Sequence, residues 1–322
     1  MDKHLYPLQF NAILKERIWG GEKLKTQFNK HSTSETTGES WEISAVEGDV
    51  SIVSDGAFKG KKLTELIESW PNEILGTTVY ERFGTKFPLL LKFLDAKEDL
   101  SIQVHPNDEL AKVRHNSFGK TEMWYVMQAD KAARIIVGFK ENSNKEEYIS
   151  HLEKNNLISI LNEIEVKEGD VFFLETGTVH AIGKGIVIAE IQQTSDITYR
   201  LYDFDRVDAD GNKRELHIDL ALEAINYQEI ETQKIYFKEN NQSNEVVACT
   251  YFTTNFIPLS GTMVVSKNGE SFTVYMCVEG SFNLEIDGNK YSFQKGETVL
   301  IPAALHKYVL RGTASILEIY IS

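Results

Sequence analysis

In the stretch LSIQVHPND, Leu100 to Asp108, the polar residues Ser101, Gln103 and His105 alternate with apolar ones. Alternate side chains of a strand fall on one face, so a hydroxyl, a carboxamide and an imidazole point the same way. Further on, GKTEMWYV sets Lys120 and Glu122 on one face of a second strand, and ETGTVHA closes on His180. Two imidazoles, a carboxylate and a carboxamide oxygen suit a borderline divalent ion such as Zn²⁺, with room left for water or substrate. Gln103, His105, Glu122 and His180 are therefore the candidate metal ligands. Each alone has a plainer reading, a hydrogen-bonded histidine or a solvated acid; four on strands that could meet point to a metal.

Most other segments read as strands. KFPLLLKFLDA is an apolar run of buried-strand length, followed by MWYVMQ, ARIIVGF, VFFLETG, GIVIAEIQQ and ITYRLYDF, with Gly, Asn and Asp between them. The last third has the same style, with hairpin signals at KNGE and IDGNK. KKLTELIESWPNEIL, NKEEYISHLEKNNLISILNEI and ELHIDLALEAINY carry apolar residues at helical spacing and read as helices on the outside of a sheet core.

A repeat organises the chain. KEGDVFFLETGTVHAI (167–182) and QKGETVLIPAALHKYV (294–309) share a Gly, an acid, an apolar run, a small-residue turn and a His. That is the shape of a cupin half-motif. The expected fold is mainly β, two tandem cupin-type jelly-roll barrels with a few peripheral α-helices. Residues 1–236 would form the catalytic barrel and 237–322 a second one, joined through the polar segment 237–246. The second repeat lacks the ligands: Glu279 and Glu285 have no imidazole beside them and His306 stands alone, so that barrel reads as a packing module without metal.

At 322 residues, 42% hydrophobic and 25% charged, the chain is an ordinary globular protein. A net charge of −14 and a pI near 5.1 argue against nucleic acid. The chain shows neither a signal-peptide pattern nor a membrane-length apolar run, and Cys249 and Cys277 are too few for a disulfide framework. The expectation is a cytoplasmic protein with reduced thiols; nothing indicates an oligomeric state.

RIWGG, GESWEIS, PLLLKFLDAKEDLSIQVHP, GKTEMWYV, GTVHAIGKGIVIAEIQQTSDITYRLYDFDR and GETVLIPA, in this order, resemble the type I mannose-6-phosphate isomerases, zinc-dependent cupins, in their compact bacterial form. The resemblance implies one Zn²⁺ per chain on Gln103, His105, Glu122 and His180. It implies a catalytic role for Arg200 and places Lys92, Ser101, Lys120 and Glu190 near the substrate. Larger members carry a histidine, proposed to be catalytic, before the lysine that Lys120 matches; this chain has Gly119 there.

The implied reaction interconverts mannose 6-phosphate and fructose 6-phosphate through an enediol. A metal would polarise the carbonyl. Glu190 is the first candidate for the base that moves the proton between C2 and C1, because a desolvated carboxylate can be tuned toward neutral pH; Lys120 and Lys92 are rivals. Arg200 would face the enediolate or the phosphate, its alternative being a salt bridge to Asp203 or Asp205. His31, His115, His151 and His217 read as surface residues, Trp19 and Trp41 as core. Two other readings stand beside the isomerase: a cupin oxygenase holding Fe(II), and a non-catalytic sugar-phosphate binding protein.

Overall fold

The computed structural model describes residues 5–207 and 211–322. Three sheets carry the fold. The largest has seven strands: Ile13–Gly21, Thr37–Ile43, Leu89–Ala96, Ile186–Gln193, Glu122–Ala129, Val171–Leu174 and Gln233–Lys234, in spatial order. The second runs Tyr199–Tyr202, Ile102–Val104, His180–Ile182, Arg134–Phe139 and Leu161–Glu165. All recorded pairings in both are antiparallel.

The near-continuous apolar runs of the large sheet follow from burial on both faces. Leu89, Leu91, Phe93, Met123, Tyr125, Val187, Ala189 and Ile191 point outward into one core. Leu94, Trp124, Val126, Phe172, Ile186 and Ile188 point inward and meet Ile135, Val137 and Ile182 of the second sheet. The two sheets thus face each other across an apolar layer. Lys92, Glu122, Glu190 and Gln192 sit on that same inward face, so the alternation that places Leu94 inside also aims these polar groups inside.

The third sheet, of Asn244–Ala248, Thr253–Ser266, Lys307–Tyr320, Thr273–Ile286, Asn289–Gln294 and Thr298–Ile301, curls around a core of its own. Gly261 pairs with Gly312 in its long strands, and the register shifts between Cys277 and Glu279 beside Gly280, whose positive φ and close approach to the Thr313 carbonyl exclude a side chain. Phe256, Val274, Met276, Leu317 and Ile319 from this sheet, with Phe252 and Phe272 just before its strands, fill the outward core of the seven-stranded sheet. The C-terminal sheet thereby covers the back of the wall that carries Lys92 and Glu190.

The structure is mainly β, as expected, but no sheet closes into a barrel. The helical expectation needs correction in three places. KKLTELIESWPNEIL is two helices, Leu63–Ser69 and Pro71–Leu75, broken at Trp70 by the following proline. Residues 144–164 are helical only over Lys145–Glu153; Leu157–Ile160 is a 3₁₀ turn and Leu161–Glu165 an edge strand paired to Arg134–Phe139. ELHIDLALEAINY keeps only Ile218–Leu222. Helices Thr77–Phe83 and Asp108–His115 were not anticipated. No helix among the described residues is long and apolar enough to cross a membrane.

Candidate metal centre and catalytic pocket

His180 is the strand neighbour of Gln103 on one side, and Arg200 is its neighbour on the other. Ile102 and Val104, between the polar residues, are fully buried in a core on the opposite face. The row Ser101, Gln103, His105 therefore faces the pocket because its apolar partners are needed behind it. Pro106 ends the strand, and Asn107 then caps helix Asp108–His115 by accepting the Leu110 N–H at 2.9 Å.

Across the large sheet a single row of paired residues, Trp41, Lys92, Glu190 and Trp124, crosses four strands. Glu122 pairs with Gln192 one step further along the pocket wall.

His105, Glu122 and His180 are each 1% exposed or less, and one ligand atom from each lies within 4.8 Å of the others. His105 Nε2 is 3.6 Å from Glu122 Oε2, and His180 Nε2 is 3.5 Å from Oε1. Both rings are turned by backbone carbonyls. His105 Nδ1 donates to Ile197 O and His180 Nδ1 to Thr178 O, each at 2.8 Å. With Nδ1 carrying the proton, each Nε2 lone pair faces the centre, the arrangement metal-binding histidines adopt. Burial, with Lys120 and His180 adding to it, holds His105 well below the usual imidazole pKa. Burial likewise brings His180 down to about 4. Both rings are held toward the neutral form, with Nε2 accepting from Lys120 in His105 and from Gln103 in His180.

Both oxygens of Glu122 are buried, and Oε1 accepts no hydrogen bond among the described residues. Lys120 Nζ lies 3.0 Å from Oε2 as a charge partner and donates to His105 Nε2 at 3.1 Å. Glu122 Oε1, buried and without a donor, lies opposite two imidazole nitrogens, a donor set suited to a divalent cation. Gln103 donates from Nε2 to His180 Nε2 at 3.2 Å; a half-turn of the carboxamide would present Oε1 to the centre instead.

Glu190 stands between Lys92, at 3.0 Å, and the Trp124 indole N–H, which donates to it at 3.2 Å. The expectation that burial would tune Glu190 toward neutral pH is not met. Burial does push it up, but Lys92 and Lys120 outweigh burial and hold it well below the usual carboxylate range. Glu122 is the carboxylate that burial raises, against the pull of Lys120. Burial works against the charge on Lys120, yet Glu122 and Glu190 hold its ammonium above its ordinary pKa.

These groups open into a pocket of about 470 Å³ lined by Ser101, Gln103, Lys92, Lys120, Glu190 and Arg200, with Trp19 and Leu94 as apolar wall. All the site residues expected from sequence lie at this pocket or at the adjoining His/Glu centre. Arg200 is not salt-bridged to Asp203 or Asp205: Arg206 and Arg214 hold the first, and Lys213 the second. His31 and His115 are exposed, but His217 is half-buried and accepts the Arg200 backbone N–H at 3.1 Å. Trp19 and Trp41 are buried.

Sequence reasoning missed several contributors. Trp124 sits two residues after Glu122 on the same strand face, a signal that could have found it. Arg17, Glu39 and Arg214 also line the pocket, Arg17 donating to Glu39 at 2.8 Å. Asp108 Oδ1 accepts the Gly119 N–H at 2.7 Å and the Gln193 amide at 3.0 Å, while Tyr251 donates to its Oδ2 at 2.7 Å. The C-terminal part of the chain thus helps fix the turn that presents Lys120. A Cβ on Gly119 would fall 2.8 Å from the Asp108 backbone nitrogen, so the main chain of the capped helix fills the place of any side chain there.

Comparison with known proteins bears on the whole chain. A family model described as phosphomannose isomerase type I, catalytic domain, matches residues 7–136, and one described as mannose-6-phosphate isomerase, cupin domain, matches residues 242–321. The mannose-6-phosphate isomerase ManA of Bacillus subtilis is 40% identical over 312 residues, 96% of each chain. The mannose-6-phosphate isomerase of Streptococcus mutans is 36% identical over 97% of each. The crystal structure of a mannose 6-phosphate isomerase from Bacillus subtilis superposes with a TM-score of 0.91 at 34% identity, covering 98% of this chain and 100% of that one.

Proposed function

The chain belongs to the type I mannose-6-phosphate isomerase family and interconverts mannose 6-phosphate and fructose 6-phosphate; we propose that it does so with a zinc ion on His105, Glu122, His180 and Gln103, and with Glu190 as the base. One observation carries the reading: two buried, Nε2-facing imidazoles and a buried carboxylate converge within 4.8 Å, beside a second, ionised carboxylate in the adjoining pocket. The relatives' names favour the isomerase over the oxygenase and the non-catalytic binding protein.

An ion held there supplies a Lewis acid that polarises the sugar carbonyl and steadies the charge the enediol oxygens gain. Glu190 takes the proton from C2; the C–H electron pair becomes the C1–C2 double bond as the C1=O π pair moves onto O1, a proton passes from the O2 hydroxyl to O1, and the proton on Glu190 returns to C1 as the C2=O bond forms. Lys92 and Lys120 keep Glu190 ionised and therefore ready to accept. Lys120, held charged, is suited to donate a hydrogen bond to a substrate oxygen and not to act as base. Ser101, 3% exposed, lies on the pocket wall to orient a sugar hydroxyl, and Arg200 answers negative charge on the substrate. Trp19, Leu94 and Ile182 exclude water from one side.

Residues 1–236 are the catalytic unit, its two facing sheets acting as a jelly roll. Residues 237–322 are a second cupin-like unit without a metal, which backs the Lys92–Glu190 wall and braces Asp108. The direct test is a coupled assay for fructose 6-phosphate on chelator-stripped protein, before and after Zn²⁺ is restored. Activity that disappears and returns with the metal is the expected result. A folded protein carrying one equivalent of zinc and showing no turnover would overturn the assignment.

A further inference from the structure

One end of the catalytic pocket gathers three arginines around a single buried carboxylate. Asp203, buried, receives Arg206 Nη2 at 2.6 Å and Arg214 Nε at 2.7 Å, with Arg214 Nη2 on its other oxygen. Arg200 lies beside them. Its Nη1 donates to the Glu215 carbonyl at 2.8 Å, and its Nε is buried without a partner among the described residues. Asp205 is engaged by Lys213 at 2.7 Å. Three guanidiniums therefore gather around one buried carboxylate, with the exposed Glu215 and the pocket-lining Asp196 as the other negative charges nearby. Arg214 and Arg206 together press the Arg200 guanidinium below its ordinary pKa, after burial itself. Like charges held this close are unfavourable unless an anion completes the set.

The three arginines are not equivalent. Arg206 turns away from the pocket and also donates to the Asp99 carbonyl. Arg200 and Arg214 line the pocket. Both stand on the side of the five-stranded sheet, whereas Glu190 and Lys92 stand on the opposite, seven-stranded wall. An opened six-carbon sugar phosphate has the same polarity: its reacting C1–C2 bond is at one end and its dianion at the other. A planar guanidinium fork matches the oxygens of a phosphate better than any other side chain.

We propose that Arg214 is a phosphate-binding residue of this pocket, receiving the C6 phosphate together with Arg200 while Asp203 holds its guanidinium at the required angle. The inference rests on the isomerase reading and deepens it by assigning the dianion end of the substrate. Asp203 is then a positioning residue: its bidentate grip aligns Arg214 and leaves the outer edge of the fork for the ligand.

The test uses zinc-loaded full-length protein and its Arg214→Gln and Arg214→Lys variants. KM and kcat for mannose 6-phosphate are measured together with the inhibition constant of inorganic phosphate. Arg214→Gln is expected to raise KM and the phosphate inhibition constant in parallel, by about tenfold or more, with kcat changed less than about threefold. Arg214→Lys, which keeps the charge but not the fork, falls between. An unchanged phosphate inhibition constant in either variant, at wild-type zinc content and melting temperature, overturns the inference. So does a fall in kcat with KM unchanged, the mark of a merely structural role. Should the wild type bind phosphate in an Arg214-dependent way yet turn over no mannose 6-phosphate, the isomerase reading falls and the anion site stands.

Discussion

Removing Lys92 should separate stability from catalysis at this site. Lys92 and Glu190 are each 3% exposed, and Nζ is 3.0 Å from Oε2. At that distance and an effective dielectric near 20 the attraction is about 5 kcal/mol before desolvation is counted. Lys92→Met would strand a buried carboxylate. Such a deletion costs about 3–5 kcal/mol, and the lower end applies here, because the Trp124 N–H and the charge of Lys120 remain beside Glu190. Glu190→Gln strands Lys92, which keeps the Trp41 ring 5.1 Å below it and the nearby charge of Glu39. We expect about 3 kcal/mol from each single change. The double variant Lys92→Met/Glu190→Gln should cost no more than the larger single, a coupling of about 3 kcal/mol. Urea unfolding of the zinc-loaded proteins followed by tryptophan fluorescence gives the cycle, and the coupled assay gives activity. The second change should add no further loss of stability to the first, and activity should not return. Effects that add to within about 0.5 kcal/mol would refute a buried charge pair, and a double variant that regains turnover would remove Glu190 from the chemistry.

Other expectations follow from neighbouring features. His180→Ala should bind less than a tenth of an equivalent of zinc by metal analysis and lose activity, since it removes one of two aligned imidazoles. Gly119→Ala should lower stability by about 1–3 kcal/mol in the same unfolding assay, because its Cβ meets backbone that a capped helix holds in place; Gly119→His should do no better. Glu318 in the C-terminal sheet is buried, but Lys267, Asn255 and Ser243 overcome burial and lower its pKa. A carboxylate with a depressed folded pKa contributes stability above its unfolded value of about 4.3, and that contribution is lost as pH falls through the folded pKa. Wild type should therefore exceed Glu318→Gln in melting temperature at neutral pH, and the difference should shrink below about pH 4. A constant difference across pH would show that packing, not charge, is at stake.

What the sequence made legible, and what it hid, divides along physical lines. The strands of the large sheet were readable because burial on both faces leaves long apolar runs, and any polar residue inside one stands out: Lys92 in LLLKFL and Glu190 in VIAEI did. The cluster of His105, Glu122 and His180 was readable because the elements that bring it together are regular, so a period of two predicts which side chains share a face. LISILNEI misled because its apolar spacing fits a helix, while pairing with Arg134–Phe139 at a sheet edge wins in the fold. Helix Asp108–His115 carries its signals in the sequence, an Asn cap, acids in the first turn and bases in the last, but it is only eight residues long with one buried side chain, so no apolar period marks it. The closed barrels were inferred from a repeat of local motifs, and local motifs carry no information on whether a sheet's edges meet.

The residues that stayed hidden share one property: their roles depend on partners far away in the chain. Arg17 meets Glu39, Tyr251 meets Asp108, and Arg214 meets Asp203 beside Arg200. No spacing rule links these positions, because the contacts join different sheets and loops. They are also the residues that orient rather than react. Asp108 holds the Gly119 turn from one side while the C-terminal part of the chain holds Asp108 from the other. Lys120 gains its place between Glu122 and His105 through that brace, and its charge in turn keeps Glu190 ionised. Loss of the Tyr251 hydroxyl should therefore reach the reaction through Lys120, so Tyr251→Phe, far outside the pocket, should lower kcat more than it raises KM. A Tyr251→Phe variant with wild-type kcat would show that the C-terminal unit covers the sheet without tuning the site.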